Sequence, residues 1–382
     1  MQTSSPPPHV AVAHPGTDTY SETFIRDHLQ RLPRVDTILR DGFYPKTVNG
    51  EPVLGRPTRL AHRGLRALAG QRGEKLCEWW RTRRLSTILD RRGVDVVLAE
   101  FGPTGVHVWK ACRHAQVPLV VHFHGQDAFH QPTVERYAES YREMFQYVSA
   151  CIVGTDEMEE ALLELGASAG QIRKNSCGVD VGLFQACDPA SNPPRLVAVG
   201  RFTEKKAPHL TLIAFREMLQ EEPGAQLIMV GDGELLPACR QLAHGLNIDE
   251  SVTFTGAIPH EKVVEYMQGA RAFVQHSVHP PSGDSEGTSI SVLEGAASGL
   301  PVVATRHGGI KDSVIDGETG FLVEEYDIST MATRMKLLCA DGERASSMGA
   351  RGRTRMEDVY RMEKSIEGLH EILLGAYESA RG

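Results

Sequence analysis

The sequence has no apolar run long enough to cross a membrane and no surplus of basic residues. Its longest apolar stretches, at 117–121 and 227–230, are the size of strands, whereas a membrane-spanning helix needs about 20 residues. The first eight residues lack the basic start and apolar centre of a signal peptide. The formal net charge of −8 argues against general nucleic-acid binding, which relies on a basic surface. We therefore expect a cytoplasmic protein, soluble or at most peripheral to a membrane.

The seven cysteines are scattered, and no two of them are spaced as CxxC. An odd number excludes a fully paired disulfide framework, and the missing CxxC excludes a compact zinc ribbon. Reduced thiols in a cytoplasm fit this pattern. The loop after the first apolar run also lacks GxGxxG, which argues against a nicotinamide dehydrogenase.

Short β-branched runs alternate with helix-like stretches along the whole chain of 382 residues, a length that suits two domains. Strands are predicted at 10–13, 95–98, 118–121, 150–153, 196–200, 226–230, 252–255, 272–275 and 301–304. A proline-rich break at 188–194 separates the two series. Apolar strands between amphipathic helices indicate parallel sheets covered on both faces. This pattern predicts an α/β protein of two Rossmann-like, doubly wound domains facing each other across a cleft.

The predicted domains are 1–188 and 189–360, followed by a C-terminal helical segment at 361–382. The segment 56–92 is notably basic and contains Trp79 and Trp80. We interpret it as a solvated helix whose tryptophans pack inward. The alternative is an interfacial helix attracted to anionic lipid.

Two glutamates, Glu286 and Glu294, are separated by seven residues. We place Glu286 in a loop and Glu294 inside the helix that follows, about two helical turns further along the chain than Glu286. Small residues between them, Gly287, Thr288 and Ser289, allow a ligand to approach the helix start, where amide groups favour phosphate oxygens. A carboxylate can accept two hydrogen bonds from the hydroxyls of a sugar or ribose. The alternative is a helix with two unrelated surface glutamates.

Basic residues follow the first predicted strand of the second domain. Arg201 offers a planar fork to phosphate oxygens, and Lys206 offers a mobile point charge. Together they can neutralise a pyrophosphate leaving group. The alternative is a solvated basic turn, and we interpret Lys205 in that way.

Histidines follow a predicted strand of the first domain, at His122 and His124. Alternate residues share one face of a strand, so the pair could bind a metal. Because the sequence offers no evident third ligand nearby, we predict no metal site. Ser21 and Glu22 are interpreted as the cap and first turn of the next helix. His276 and His279 are interpreted as structural or acceptor-lining.

These motifs together resemble the retaining glycosyltransferases of family 4, which have the GT-B fold. The resemblance rests on Gly200-Arg201 with Lys206, on Glu286 and Glu294, and on the segments 178–180, 230–233, 254–256, 298–304 and 316–323. The segment 21–25 is similar to a variant in bacterial exopolysaccharide and lipopolysaccharide glycosyltransferases.

The resemblance implies a role for each motif. Arg201 and Lys206 would bind the donor pyrophosphate, and Glu286 would hold the donor sugar with the amides of Thr288 and Ser289. Glu294 would bind the ribose hydroxyls. The implied catalytic residues are His124, which would contact the donor sugar near the reacting carbon, Arg201, Lys206 and Glu286. The implied donor-binding residues are Gly16, Arg201, Lys206, Gly231, Gly256, Ile258, Glu286, Gly287, Thr288, Ser289, Ile290 and Glu294.

The implied reaction is retaining transfer of a hexosyl group from a nucleoside-diphosphate sugar, with UDP-sugar favoured, to an acceptor hydroxyl. The first domain would bind a glycan, lipid-linked or small-molecule acceptor in polysaccharide or glycoconjugate biosynthesis, and the C-terminal helix would cross back onto this domain. No metal cofactor is expected, because Asp284-Ser285-Glu286 is a poor substitute for a DxD metal loop. The alternatives are a non-hydrolysing sugar-nucleotide epimerase and a catalytically silent sugar-nucleotide-binding partner.

Overall fold

The computed structural model describes residues 7–16, 23–54 and 56–382, with the side chains of 56–72 and 74 left out of the description. Contacts divide the chain into two compact units. The first comprises Met1–Ala128, Pro132–Asn175 and Ile366–Gly382, and the second comprises Phe129–Gln131 and Ser176–Ser365.

The unit boundaries differ from the predicted domain boundaries at residues 176–188, which belong to the second unit. Val179 fixes this segment there, because its N–H donates to the Tyr360 carbonyl at 2.8 Å and its own carbonyl accepts from the Met362 N–H at 3.0 Å. Residues 366–382 pack with the first unit although they follow the second in the chain.

The first unit is built on one mixed sheet. Its strands are β1 (Val10–Ala13), β2 (Val35–Arg40), β3 (Thr47–Val48), β4 (Glu51–Pro52), β5 (Val96–Glu100), β6 (Leu119–His122), β7 (Ala150–Val153) and β8 (Ile172–Lys174). Their order is β4-β3-β2-β1-β5-β6-β7-β8, and only the β2–β3 and β3–β4 pairs are antiparallel. The central strands β1, β5, β6 and β7 are fully buried, as expected of a sheet covered on both faces.

Helices cover this sheet. They are α1 (Thr23–Arg31), α2 (Arg56–Arg92), α3 (Gly102–Ala115), α4 (Gln126–Phe129), α5 (Gln131–Phe145) and α6 (Asp156–Glu164). The last helix of this layer is α14 (Met362–Ser379). It starts in the second unit and continues into the first.

The second unit contains one fully parallel sheet. Its strands are β9 (Arg195–Val199), β10 (Gln226–Val230), β11 (Val252–Gly256), β12 (Ala272–Gln275), β13 (Val302–Thr305) and β14 (Gly320–Val323). Its helices are α7 (Pro208–Met218), α8 (Leu236–Gly245), α9 (His260–Gln268), α10 (Ile290–Ala297), α11 (Ile310–Ser313), α12 (Ile328–Ala340) and α13 (Gly342–Asp358). The strand order β11-β10-β9-β12-β13-β14 reverses between β9 and β12. Ligands of such sheets bind at this switch point, outside the carboxyl ends of the strands.

Every predicted strand is present, with ends within two residues of the prediction. The prediction that Trp79 and Trp80 pack inward is wrong, since both side chains on α2 are about half exposed, at 49% and 50%. The helix turns Leu85 inward instead, at 1% exposure. Among the described residues, none of the helices combines the length and apolarity that a bilayer crossing requires.

Candidate functional site

The carboxyl end of β9 leads into a loop that carries Arg201 and Lys206. The Gly200 N–H donates to the Val230 carbonyl at 3.0 Å, so the loop starts against the end of the neighbouring strand β10. Gly231 is required there, because a side chain on it would overlap the carbonyl oxygen of Gly200 and its φ is 133°. Arg201 points to solvent, whereas Lys206 is mostly buried. The loop therefore presents one exposed and one mostly buried cation at the switch point.

Lys206 joins the two predicted motifs. Its Nζ lies 3.0 Å from Glu286 Oε1 and donates to Ser289 Oγ at 3.3 Å. Glu286 lies in the segment 276–289 between β12 and α10, which we call the Glu286 loop. Gln275, the last residue of β12, donates through Nε2 to the same Ser289 Oγ at 3.2 Å. The structure thus brings Lys206, Glu286 and the start of α10 into one hydrogen-bonded group.

Lys205 is not the solvated residue that we predicted. Its side chain is buried, and Nζ lies 3.1 Å from Asp284 Oδ1 and 3.1 Å from the Ser285 carbonyl oxygen. A buried ammonium needs such partners, because leaving it unpaired costs several kcal/mol. Lys205 therefore anchors the Glu286 loop from the side of β9, next to the charge pair that Lys206 makes.

Electrostatics keep Glu286 ionised. Burial by itself would raise the pKa of this carboxyl, but the charges of Lys206 and Lys205 and the hydrogen bond from Lys206 hold the pKa at about 2. Burial lowers the pKa of the Lys206 ammonium, against the attraction of Glu286. The two shifts have different causes, and the depressed pKa of Glu286 follows directly from the contact geometry. The group offers a fixed carboxylate beside a buried cation.

The start of α10 is built from small residues, as predicted. Gly287 and Ser289 are buried, and Thr288 and Ile290 are partly buried. Ser289 is the N-cap residue, but its side chain makes no cap hydrogen bond, because Lys206 and Gln275 engage its hydroxyl. The first turn of α10 is therefore not satisfied by its own cap, a condition that suits an anionic ligand.

Glu294 lies just over one turn after the start of α10 and is also buried. Its Oε1 is 2.9 Å from His260 Nε2, at the start of α9. Gly256, at φ 71°, is the last residue of β11, and Ile258, which is partly buried, lies on the connection from β11 to α9. The Gly256 carbonyl accepts from the Gly231 N–H at 3.0 Å. His260 was not predicted, and its position at a helix start gave no clear signal.

In the first unit, the predicted residue His124 belongs to a buried histidine cluster. Its Nε2 lies 2.7 Å from Oε2 of Glu100, the last residue of β5. His28 Nδ1 lies 2.7 Å from the other oxygen, and His122 Nδ1 lies 3.6 Å from Oε2. Burial opposes the ionisation of Glu100, but His28 and the hydrogen bonds from His124 and His28 hold its pKa well below the usual value.

Glu100 was missed in the sequence, although an acidic residue ending an apolar strand is a usable signal. Burial, followed by repulsion from His124, lowers the pKa of His122 well below its ordinary value. The histidine pair that we considered as a metal site therefore faces a carboxylate that is already hydrogen-bonded to His28 and His124.

The remaining predicted residues fall in two places. Gly16 lies just after β1 in the first unit, where a side chain would meet open space. His124 also belongs to the first unit, whereas Arg201, Lys206, Gly231, Gly256, Ile258, Gly287, Thr288, Ser289, Ile290, Glu286 and Glu294 belong to the second. The predicted cap at Ser21 and Glu22 lies outside the described residues.

Two family models match consecutive parts of this chain. The model described as Glycosyltransferase Family 4 matches residues 21–183, and the model described as Glycosyl transferases group 1 matches residues 184–355. Together they cover most of the chain without a gap.

Curated relatives carry related names. The amylovoran biosynthesis glycosyltransferase AmsK of Erwinia amylovora is 24% identical over 73% of this chain and 70% of its own length. A GDP-mannose-dependent alpha-(1-6)-phosphatidylinositol monomannoside mannosyltransferase of Mycolicibacterium smegmatis is 33% identical over 49% of each chain. This chain therefore matches only about half the length of the mycolicibacterial relative.

Among solved structures, HepE of Anabaena in complex with UDP-glucose superposes with a TM-score of 0.74. It is 17% identical, over 96% of this chain and 99% of that chain. Sucrose-phosphate synthase from Thermosynechococcus elongatus gives a TM-score of 0.71 at 19% identity, over 97% and 99%. These similarities confirm the predicted GT-B fold.

Proposed function

Because the chain belongs to glycosyltransferase family 4, we propose that it transfers a hexosyl group from a nucleoside-diphosphate sugar to an acceptor hydroxyl with retention of configuration. The observation that carries this proposal is the group formed by Lys206, Glu286 and Ser289 at the start of α10. It places a cation, a carboxylate and a helix start together, which are the partners that a diphosphate and a sugar require.

In this proposal the donor diphosphate lies between the start of α10 and the loop after β9 that carries Arg201 and Lys206. Arg201 is exposed and free to swing towards phosphate oxygens, while Lys206 is already fixed in place. The carboxylate of Glu286 accepts hydrogen bonds from the donor sugar, and that of Glu294 accepts them from the ribose. Ile258 and Gly256 border the base.

The proposed chemistry is front-face displacement. The acceptor oxygen forms a bond to the anomeric carbon on the face from which the phosphate leaves. The bond between the anomeric carbon and the phosphate oxygen of the donor breaks. The acceptor proton passes to the leaving phosphate, so the enzyme contributes charge stabilisation and positioning. Arg201 and Lys206 supply positive charge at the diphosphate, so the reaction is proposed to proceed without a metal cofactor. His124 contacts the donor sugar.

For the base we propose uracil, carried by a UDP-sugar donor. The structural neighbour HepE was solved with UDP-glucose and aligns over nearly the whole chain, which supports a UDP-sugar. The mycolicibacterial relative is named GDP-mannose-dependent, so GDP-mannose is the donor that competes with this proposal. The name of AmsK supports an acceptor in exopolysaccharide biosynthesis.

We further propose that residues 1–188 bind the acceptor and 189–360 the donor, and that the enzyme works in the cytoplasm at the inner face of the membrane. The exposed Trp79 and Trp80 on the basic helix α2 support such peripheral contact. Vesicles containing an anionic lipid should bind the protein and release it in high salt. A double Trp79→Ala, Trp80→Ala variant that still binds them equally well would contradict this contact.

The proposed function is tested by thermal shift with UDP-, GDP- and ADP-sugars and with the free nucleotides, followed by turnover with the donor that binds. At a hundredfold excess over Kd, a ligand of the native state adds about 2.7 kcal/mol of stability. We expect the largest shift with a UDP-sugar. A shift with GDP-mannose alone would replace the base, and consumption of the donor without an acceptor would replace glycosyl transfer with epimerisation or hydrolysis. No shift with any donor would overturn the proposal.

A further inference from the structure

The Glu286 loop rests on a cluster that the proposed function does not use. His307, fully buried after β13, lies between this loop and Glu325, which follows β14. The Nδ1 atoms of His307 and His279 lie 2.7 Å and 2.6 Å from Glu325 Oε1. The His279 N–H also donates to Glu325 Oε2 at 2.9 Å. The carboxylate of Glu325 thus contacts two imidazoles next to the loop that carries Glu286, the residue proposed to hold the donor sugar.

The backbone of Glu286 is held on both sides by the segment 307–309. Its N–H donates to His307 Nε2 at 3.2 Å. Its carbonyl oxygen accepts from the Gly309 N–H at 3.3 Å, and a side chain on Gly308 would overlap that same oxygen.

These contacts define the tautomer of His307. An N–H donates to Nε2, so Nε2 carries a lone pair and the ring proton of neutral His307 lies on Nδ1. Glu325 accepts a hydrogen bond from this Nδ1–H group, and in this way a carboxylate selects one tautomer of a neighbouring imidazole. The opposite tautomer would bring two N–H groups face to face at Glu286. A metal ion on Nδ1 would force that opposite tautomer, so the geometry favours a hydrogen-bonding role.

We propose that His307, oriented by Glu325, is a positioning residue that holds the Glu286 backbone in the geometry needed to bind the donor sugar. This inference rests on the proposed function of Glu286, because His307 touches no substrate itself. It acts through one hydrogen bond to the Glu286 amide, and Glu325 acts through the tautomer of His307.

The charged and titratable groups that face His307 are Glu325, Glu286 and His279. Burial lowers the pKa of His307 below its ordinary 6.5, against the opposing effects of its hydrogen bond to Glu325 and of the charge of Glu286. Protonation places a hydrogen on Nε2 and breaks the contact with Glu286. The KM for donor should therefore rise as the pH falls through this pKa, while the plateau above it stays flat.

Two substitutions of His307 separate its two contacts. His307→Gln places an amide oxygen near the position of Nε2 and retains an acceptor for Glu286, whereas His307→Asn retains a donor near Nδ1 for Glu325 and leaves the Glu286 N–H without an acceptor. We expect His307→Asn to lower kcat/KM about tenfold, mainly through donor KM, since an unsatisfied buried N–H is costly. His307→Gln should stay within about threefold of wild type by the same reasoning. Equal losses, or a larger loss for Gln, would overturn the proposal.

Glu325→Gln tests the orienting carboxylate, and Glu324→Gln is its matched control. Glu324 is the neighbouring exposed acid, 3.4 Å from Arg306, and is 75% exposed. We expect Glu325→Gln to raise the KM for donor. It should also shift the acid limb of the plot of donor KM against pH to lower pH, because the lost carboxylate had stabilised the protonated imidazole of His307. Glu324→Gln should change neither. An unchanged profile in Glu325→Gln would contradict the role of Glu325.

Nitrogen NMR of the histidine rings supplies a readout that needs no substrate. In wild type, His307 should show the proton on Nδ1 at neutral pH, with no change on adding a chelator, and Glu325→Gln should populate the other tautomer. A proton on Nε2, or a chelator-sensitive signal, would overturn the inference even in a protein that binds no nucleotide sugar. The tautomer as expected, in a protein without donor binding, would overturn the proposed function alone.

Discussion

Glu286 and Glu100 are two buried carboxylates, one in each unit, each at or after the carboxyl end of a parallel strand. Glu286 is paired with Lys206 and neighbours the buried ammonium of Lys205, and both lysines help to hold its pKa at about 2. Glu100 instead accepts hydrogen bonds from the imidazoles of His28 and His124.

The comparison shows two ways in which a buried acid is kept ionised. The charges of Lys206 and Lys205 hold the pKa of Glu286 at about 2, against the effect of burial. The charge of His28 and the hydrogen bonds from His124 and His28 hold the pKa of Glu100 well below its usual value, also against burial. The second unit therefore stabilises its carboxylate with ammonium groups, and the first unit uses imidazoles.

The largest expected effect is on turnover. Lys206→Ala and Glu286→Ala should each raise the barrier by about 2–4 kcal/mol, the cost of losing one preorganised charge partner at a reacting diphosphate or sugar. Steady-state kinetics with the donor identified by thermal shift would measure it. Near-wild-type rates in either variant, with normal folding, would contradict the assigned roles.

The next effect is on the stability of the first unit. Glu100→Gln keeps one amide oxygen but turns an NH2 group towards the second histidine, so we expect a loss of about 1–3 kcal/mol in the free energy of unfolding. Glu78→Gln is the control, because its ion pair with Lys110 is exposed and worth less than about 1 kcal/mol. Urea denaturation measures both, and equal losses would show that burial of Glu100 contributes nothing.

A smaller effect is the pH dependence of stability, which should have two limbs. Burial lowers the folded-state pKa of His122 below 6.5, so the unfolded chain binds the proton first and stability falls as the pH drops below about 6.5. The folded-state pKa of Glu286 is about 2 instead of 4.5, so its contribution is complete above 4.5 and is lost between 4.5 and 2. His122→Asn should weaken the upper limb and leave the lower limb unchanged. Burial also lowers the pKa of His14, His276 and His307, so part of the upper limb should remain. Denaturation at a series of pH values would reveal a single limb if this is wrong.

The smallest expected effect is a difference in melting temperature between variants of two neighbouring lysines. Lys205→Met removes the bonds to Asp284 and Ser285 and should lower the melting temperature more than Lys206→Met does, because it releases the Glu286 loop. Turnover should follow the opposite order, because Lys206 is the proposed phosphate ligand. If both variants lose activity equally, anchoring and catalysis are not separate functions of the two lysines.

Much of the fold followed from local pattern. Each predicted strand is an apolar, β-branched run, which is what a doubly wound sheet requires of its central strands. The strands β2, β3, β4, β8 and β14 were not predicted. The first four lie at or near sheet edges, where polar residues and short length weaken the pattern. The apolar run of β14 falls inside the segment 316–323, which was assigned to a motif and not to a strand. The exposure of Trp79 and Trp80 was missed because aromatic residues on a helix usually mark its buried face.

The candidate site was predictable where charged residues fall in motifs whose spacing is visible in the sequence. Arg201, Lys206, Glu286 and Glu294 fall in order along two motifs, and the structure joins Lys206 to Glu286. Lys205, Glu100 and His307 were not assigned a role. Their importance comes from burial and from partners far away in the chain, such as Asp284 for Lys205 and Glu325 for His307. Neither quantity is visible in a local window of sequence.

Residues 366–382 complete the first unit, yet they are translated after all of the second. At about 5–20 residues per second, the intervening segment takes roughly 10–40 s to emerge from the ribosome. During that time the surface that the end of α14 covers lacks its native partners, among them Leu369 and Leu373, which are fully buried in the complete chain. The first half of the chain is therefore not a self-sufficient domain during synthesis, and a gene cut between the two sheets would yield an N-terminal fragment that lacks part of its own core.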